Sequence, residues 1–317
     1  MAHREKSRLS FADALVKQRS GVNADLARIN ASVKWYRFEH LLSRIHASPE
    51  GRPSYLPLTM LKCLLLQQWY RLSDAETEEA LSDRLSFRRF VGLALDEDVP
   101  DHTTICRFRQ ELVQHGLGEK VFTEMNRQLE KQGLILKQGT IIDATLVEAD
   151  ADVRKGDDGE PVTVDEEAGF AQRRGKSFYG YKAHVGVDTS GLVRKALLTP
   201  ANIHDSTPAD QLICGDEGMV IADKGYHSKK RRALLAKLGI KDGVMRRAGR
   251  GHPLSAKDRQ RNRRLAPLRS GVERIFGTLK RTYGWTRVRY RGLAKNANHL
   301  FLLCTALNLR RALVLSS

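Results

Sequence analysis

The hydrophobic pattern of this 317-residue chain changes period at Leu134, and that change constrains its fold more than any other feature. Up to about Gly133 every informative segment has helical spacing. Asn23 stands where it would cap a helix carrying Leu26, Ile29, Val33 and Phe38. Pro49, Gly51 and Pro53 then break the chain, and Pro57 opens the apolar run Leu58–Tyr70. Ser73 with Glu76 three residues on is a capping box. Asp101 is placed to cap His102–Gln114, and Gly133 to end Leu117–Lys131. Residues 1–22 are polar and charged and read as a mobile arm.

After Leu134 the runs become short, β-branched and bounded by turn residues. Thr140–Val147 reads as a strand. Phe178–Asp188 alternates, with Tyr179, Tyr181, Ala183, Val185 and Val187 on one face, and turns at Thr189-Ser190-Gly191 into Leu192–Thr199. His204–Cys214 is expected to be helical, Met219–Asp223 a buried strand, and Ser228–Leu238 a capped basic helix ended by Gly239. Ile240–Met245 is a last strand before further helices. Residues 150–177 are polar and read as a flexible insertion. The expectation is an α/β domain at 136–317, with a mixed sheet flanked by helices, preceded by an all-α domain at 1–135.

A formal net charge of +17 makes nucleic acid the leading partner. A ribosomal or membrane-surface protein fits less well, because 41% of residues are hydrophobic and no run approaches the ~18 apolar residues of a membrane span. No signal-type stretch follows Met1, so a cytoplasmic location is expected. Cys63, Cys106, Cys214 and Cys304 show no C-x-x-C spacing, which argues for reduced thiols and against structural zinc.

Three carboxylates stand out against this frame. Asp143 follows Thr140-Ile141-Ile142, and Asp223 follows Met219-Val220-Ile221-Ala222. The ends of buried strands are where polar groups emerge into a crevice. Each aspartate alone is equally well read as a strand-end cap. Glu273 lies in a basic helical stretch, with Arg269 about 40° and Lys280 about 20° from it around the helix. Val272, Ile275, Phe276 and Leu279 form an adjacent apolar stripe. An Arg269–Glu273 salt bridge explains one pair but not a third residue on the same face. Oxygen ligands of this kind suit Mg²⁺, and two such ions ~3.5–4 Å apart serve phosphodiester chemistry; Mn²⁺ is the natural substitute. Asp143, Asp223 and Glu273 are therefore the candidate metal ligands and catalytic residues.

The segment Arg269…Glu273…Lys280 resembles the Y-x2-R-x3-E-x6-K signature of bacterial insertion-sequence transposases with an Asp-Asp-Glu triad. Ala266 stands at the tyrosine place. Asp143-Ala144-Thr145, Asn202-Ile203-His204-Asp205 and Ala222-Asp223-Lys224-Gly225-Tyr226 are similar to the insertion-sequence-five-type group, and Pro53–Leu112 resembles that family's amino-terminal domain. The resemblance implies a ribonuclease-H-like catalytic fold and metal-dependent DNA transposition. Hydrolysis at the transposon ends would free a 3′-OH, which then attacks target DNA. It also implies double-stranded DNA partners (terminal inverted repeats and target), a homodimer, and action at the bacterial nucleoid.

Further candidates for DNA contact follow. Lys280 and Arg269 would hold phosphates. Lys224 and Tyr226 either touch DNA or shape the turn at Gly225. The basic run from Arg246 to Arg269, including Arg261, Arg263 and Arg264, is a backbone track or an ordinary solvated face. Arg107 and Arg109 lie on His102–Gln114, a helix suited to recognition or to a purely structural role. Two other functions remain open: a non-catalytic DNA-binding regulator, and a metal-dependent nuclease without strand transfer.

Overall fold

The structure is a computed structural model, and it describes residues 24–45, 54–149, 154–155, 161–162, 165–173, 175–249 and 251–316. The expected arm at 1–22, the cap at Asn23 and much of the expected insertion lie outside these residues. The chain forms two compact units, one of Met1–Gln128 with Phe301–Ser317 and one of Leu129–Leu300. The sequence division gave all of 136–317 to the second domain, whereas Phe301–Ser317 packs with the first.

The first unit is helical: α1 (Ala24–Ser32), α2 (Tyr36–Leu42), α3 (Pro57–Tyr70), α4 (Asp74–Asp83), α5 (Leu85–Val91), α6 (His102–Gln114) and most of α7 (Leu117–Lys131). The single helix expected from Leu26 through Phe38 is two. Gln128 explains the break, because its side chain accepts from Lys34 N at 2.8 Å and donates to Lys34 O at 3.3 Å, holding residues that a helix would have bonded internally. Helix α3 is buried from Thr59 to Trp69 and forms the unit's axis. The Ser73–Glu76 capping box and the Asp101 cap are both formed.

The second unit holds β1 (Thr140–Glu148), the two-residue β2 (Arg154–Lys155) and β3 (Pro161–Val162), β4 (Gly169–Arg173), β5 (Lys176–Asp188), β6 (Val193–Pro200), β7 (Met219–Ala222) and β8 (Lys241–Val244). Its helices are α8 (Lys229–Lys237), α9 (Ala256–Arg281) and the start of α10 (Leu293–Leu315). The sheet runs β4-β5-β1-β7-β8, with β6 also on β5. β6, β5 and β1 are antiparallel, while β1, β7 and β8 are parallel. Four strands paired antiparallel (β4, β6, β5 and β1) and two added in parallel (β7 and β8), flanked by helices, make a mixed α/β sheet.

Two expectations are corrected. His204–Cys214 is not a helix; only Ala209–Leu212 makes a 3₁₀ turn. Pro208 disfavours helical backbone at Thr207, and the His204 ring accepts from Ser206 N at 3.2 Å. Within 150–177, Gly169–Arg173 is not loop but pairs with Lys176–Gly180 as an edge strand.

One face of the sheet packs against α9 and the other against α8 and the 3₁₀ turns. Ile142, Ala222 and Val244 share a core with Leu212, Tyr226 and Leu235. On the opposite face, the position where a Gly271 Cβ would stand is 3.0 Å from Ile141 Cδ1, so α9 lies close to β1. Pro267 sits inside α9, and its missing N–H leaves one backbone bond unmade two residues before Arg269.

Candidate active site

β7 pairs with β1 only along Thr140–Ile142. The same edge of β1 is next engaged at Glu148, whose N–H donates to Thr286 O at 3.0 Å and whose carbonyl accepts from Val288 N at 2.8 Å. Between lies an open window in the ladder, residues 143–147. A cleft of about 630 Å³ occupies it, lined by Asp143, Asp223 and Glu273 together with Arg269, Lys280, Lys182 and Asp205.

The two aspartates meet because of register. Ile142 faces Ala222 in the parallel pair, so Asp143 and Asp223 are each one residue beyond it. Asp143 Oδ1 accepts from Ala144 N at 2.9 Å. Asp223 caps the 3₁₀ turn Lys224–Tyr226, its Oδ1 accepting from Lys224 N at 2.5 Å. Arg269 reaches both, 3.3 Å from Asp143 Oδ2 and 3.7 Å from Asp223 Oδ1. Burial nevertheless pushes the Asp143 carboxyl above its ordinary value, against the pull of Ala144 N–H and Arg269. Glu273 is exposed one helical turn after Arg269. The apolar stripe Val272, Ile275, Phe276 and Leu279 is buried, as its spacing predicts, and this turns Arg269, Glu273 and Lys280 into the cleft. Lys280 Nζ donates to Leu146 O at 3.0 Å, within the open window.

The donor set fits divalent ions. It offers three carboxylates lining one cleft, and two of them are close enough to share one guanidinium. Asp143, Asp223 and Glu273 are placed where they could hold a divalent ion. A second acidic group, Cys214 with Asp216 and Glu217, is compact enough for a metal. Its charges are already answered, however: Asp216 pairs with Lys137 at 2.9 Å and Arg194 at 2.6 Å. Glu217 accepts from the N–H groups of Cys214, Gly215 and Asp216.

Three residues expected to touch DNA are placed differently. The Tyr226 ring is 3% exposed and belongs to the core under the sheet, so it is not a surface contact. Its hydroxyl is buried without a hydrogen-bond partner among the described residues. Arg109 is buried and pairs with Asp74 in the helical unit. Arg261 spends its guanidinium on the carbonyls of Val244 and Asp242, at the end of β8. Lys224, Arg107, Arg263 and Arg264 are exposed. Sequence reading passed over Lys182 and Asp205 as site residues. The signal was there, a lysine inside the apolar strand Tyr181–Val187 and an aspartate in the quoted Asn-Ile-His-Asp segment.

Two family matches place the chain in the class of DNA-processing enzymes. The family described as "Transposase DDE domain" matches residues 135–309, more than half of the chain, and the one described as "Transposase domain (DUF772)" matches 13–111. The chain belongs to the transposase DDE-domain family. Among solved structures, it is similar to "Mos1 transposase paired-end complex with left transposon end", at 13% identity over 80% of this chain and 87% of that one, TM-score 0.21. It is also similar to "Crystal structure of the Mos1 Strand Transfer Complex", at 12% identity over 81% and 86%, TM-score 0.20. No helix among the described residues is long and apolar enough to cross a membrane.

Proposed function

We propose that the protein is a transposase of the insertion-sequence-five-type group. It hydrolyses a phosphodiester at each transposon end and joins the freed 3′-OH to target DNA. The observation that carries this reading is the convergence of Asp143, Asp223 and Glu273 on one cleft, with Arg269 spanning the two aspartates. Two Mg²⁺ ions, with Mn²⁺ as substitute, would supply activation of the attacking oxygen and stabilisation of the leaving one.

The chain's own residues do the rest. Asp143 and Asp223 are each fixed through Oδ1 by the backbone N–H groups of Ala144 and Lys224, and Arg269 also donates to Asp143 Oδ2 at 3.3 Å, so both carboxylates are oriented without rotamer search. Arg269 bridges the two carboxylates, and its charge opposes the rise that burial causes at Asp143. Lys280 stands at the window of β1, where DNA backbone would lie. The exposed Arg263 and Arg264 on α9 favour any duplex through its phosphates, without reading sequence. The protein works as a homodimer, because two ends must be brought together, in the bacterial cytoplasm at the nucleoid.

The test uses the full chain and a duplex carrying the inverted repeat that borders its gene. Mg²⁺-dependent nicking, lost with chelator and in Asp143→Asn, is the expected result. Pre-cut ends then separate transposase from nuclease: strand transfer supports the proposal, and hydrolysis alone supports the nuclease. Binding without any cleavage by the intact protein would establish the regulator instead.

A further inference from the structure

The cleft has a second wall that the carboxylate reading does not use. Period-2 alternation puts Asp143 and Thr145 on the α9 face of β1 and Ala144 and Leu146 on the other. Lys182 pairs in register with Leu146, so it belongs to the face opposite Asp143. Yet both line one cleft, because the open window lets the cleft straddle the edge of β1. Lys182 is the cation of that far wall.

Its environment is built rather than incidental. The Lys182 side chain is 13% exposed, and its Nζ is 2.7 Å from Asp205 Oδ1. It also donates to Ile203 O at 2.6 Å. An ammonium has three N–H donors; among the described residues two are committed to acceptors, Asp205 Oδ1 and Ile203 O, which leaves the third for the cleft. Lysine within the otherwise buried stretch Gly180–Asp188 of β5 carries a desolvation cost that an apolar residue would avoid. Leu146, its register partner, lies three residues or about 10 Å along β1 from Asp143. Lys280 comes to the carbonyl of that same Leu146 from the α9 side. Two lysines thus flank one point of the window, some way from the carboxylates.

We propose that Lys182 is a phosphate-binding residue of this cleft, with Asp205 as its positioning residue. It receives a DNA backbone phosphate flanking the one that faces the carboxylates. The inference rests on the reading of the cleft as the DNA-processing site. Asp205 and the Ile203 carbonyl hold the ammonium on the far side of the window, so a strand lying across the window is gripped from both faces.

The experiment measures binding of the same repeat-bearing duplex from 50 to 200 mM salt, in an Asp143→Asn background so that no cleavage intervenes. Lys182→Met should reduce the slope of log affinity against log salt by about 0.9, the loss of one phosphate contact. Lys182→Arg should restore it. In the otherwise native protein, Asp205→Asn should keep the slope but lower turnover at saturating DNA at least about tenfold, because the cation is no longer held. Thermal melting of each variant separates these effects from misfolding. An unchanged slope in Lys182→Met, or a slope that Lys182→Arg fails to restore, overturns the proposal. Unchanged turnover in Asp205→Asn removes the positioning role. Failure of the carboxylate reading shows separately, as full cleavage by the Asp143→Asn protein.

Discussion

Two arginines, one in each unit, hold aspartates in opposite ways. In the helical unit Arg109 ties α6 to α4 and α3, pairing with both oxygens of Asp74 and donating to Gln67 Oε1 at 3.2 Å. Gln67 in turn donates to Asp74 Oδ1 at 2.7 Å and Thr77 Oγ1 at 3.0 Å. That network is closed. In the sheet unit Arg269 stretches across two aspartates at 3.3 and 3.7 Å, and its own Nε is buried without a partner among the described residues. A saturated network fixes a fold. An under-satisfied one keeps coordination capacity for something that arrives later.

The contrast predicts which substitutions harm stability and which harm chemistry. Asp74→Ala leaves Arg109 buried and uncompensated, and should destabilise the helical unit by about 3–5 kcal/mol, read as loss of hydrogen-exchange protection along α6. Intact protection would show that the closed network is ornamental. Asp143→Asn should do the reverse. Burial already disfavours the Asp143 charge, so the neutral amide leaves the melting temperature unchanged or higher, while strand cleavage falls roughly 10²–10³-fold or more. A large drop in melting temperature would make Asp143 structural, as Asp74 is.

A third prediction concerns His184, fully buried on β5 and 2.9 Å from Thr199 Oγ1. Burial lowers its pKa from 6.5 to about 4. Between those values the folded state binds fewer protons than the unfolded chain. Stability is therefore full above pH 6.5 and falls as pH drops through this window, by roughly 3 kcal/mol at most. Denaturant titrations from pH 7 to 4 should show the loss, and His184→Phe should flatten it. The smallest effect separates neighbours on α6. Arg107→Ala removes an exposed charge and should weaken duplex binding a few-fold at low salt, with unchanged stability. Equal binding by Arg107→Ala and the parent protein would remove α6 from the DNA surface.

Sequence reading located the elements whose signals are local. The capping box at Ser73, the Asp101 cap and the buried strands before Asp143 and Asp223 each announce themselves within a few residues. The mixed α/β class and the helix face carrying Glu273 follow from periodicity. What stayed hidden depends on distant partners. Gly169–Arg173 is too short and polar to read as a strand until Lys176–Gly180 lies beside it. Tyr226 and Arg109 look like surface residues in sequence, and only packing buries them. Lys182 gains meaning from register with Leu146, which no spacing along the chain encodes.

The window in β1 also bears on solubility. An unpaired strand edge is a template for another chain's strand, and β7, only four residues long, leaves such an edge open beside the cleft. The charged groups around it, Lys280 on the Leu146 carbonyl and Asp143 at its start, are also what keeps a neighbouring molecule from docking there. Neutralising them for a catalytic test brings the opening closer to a sticky sheet edge, so such variants should be compared at low protein concentration.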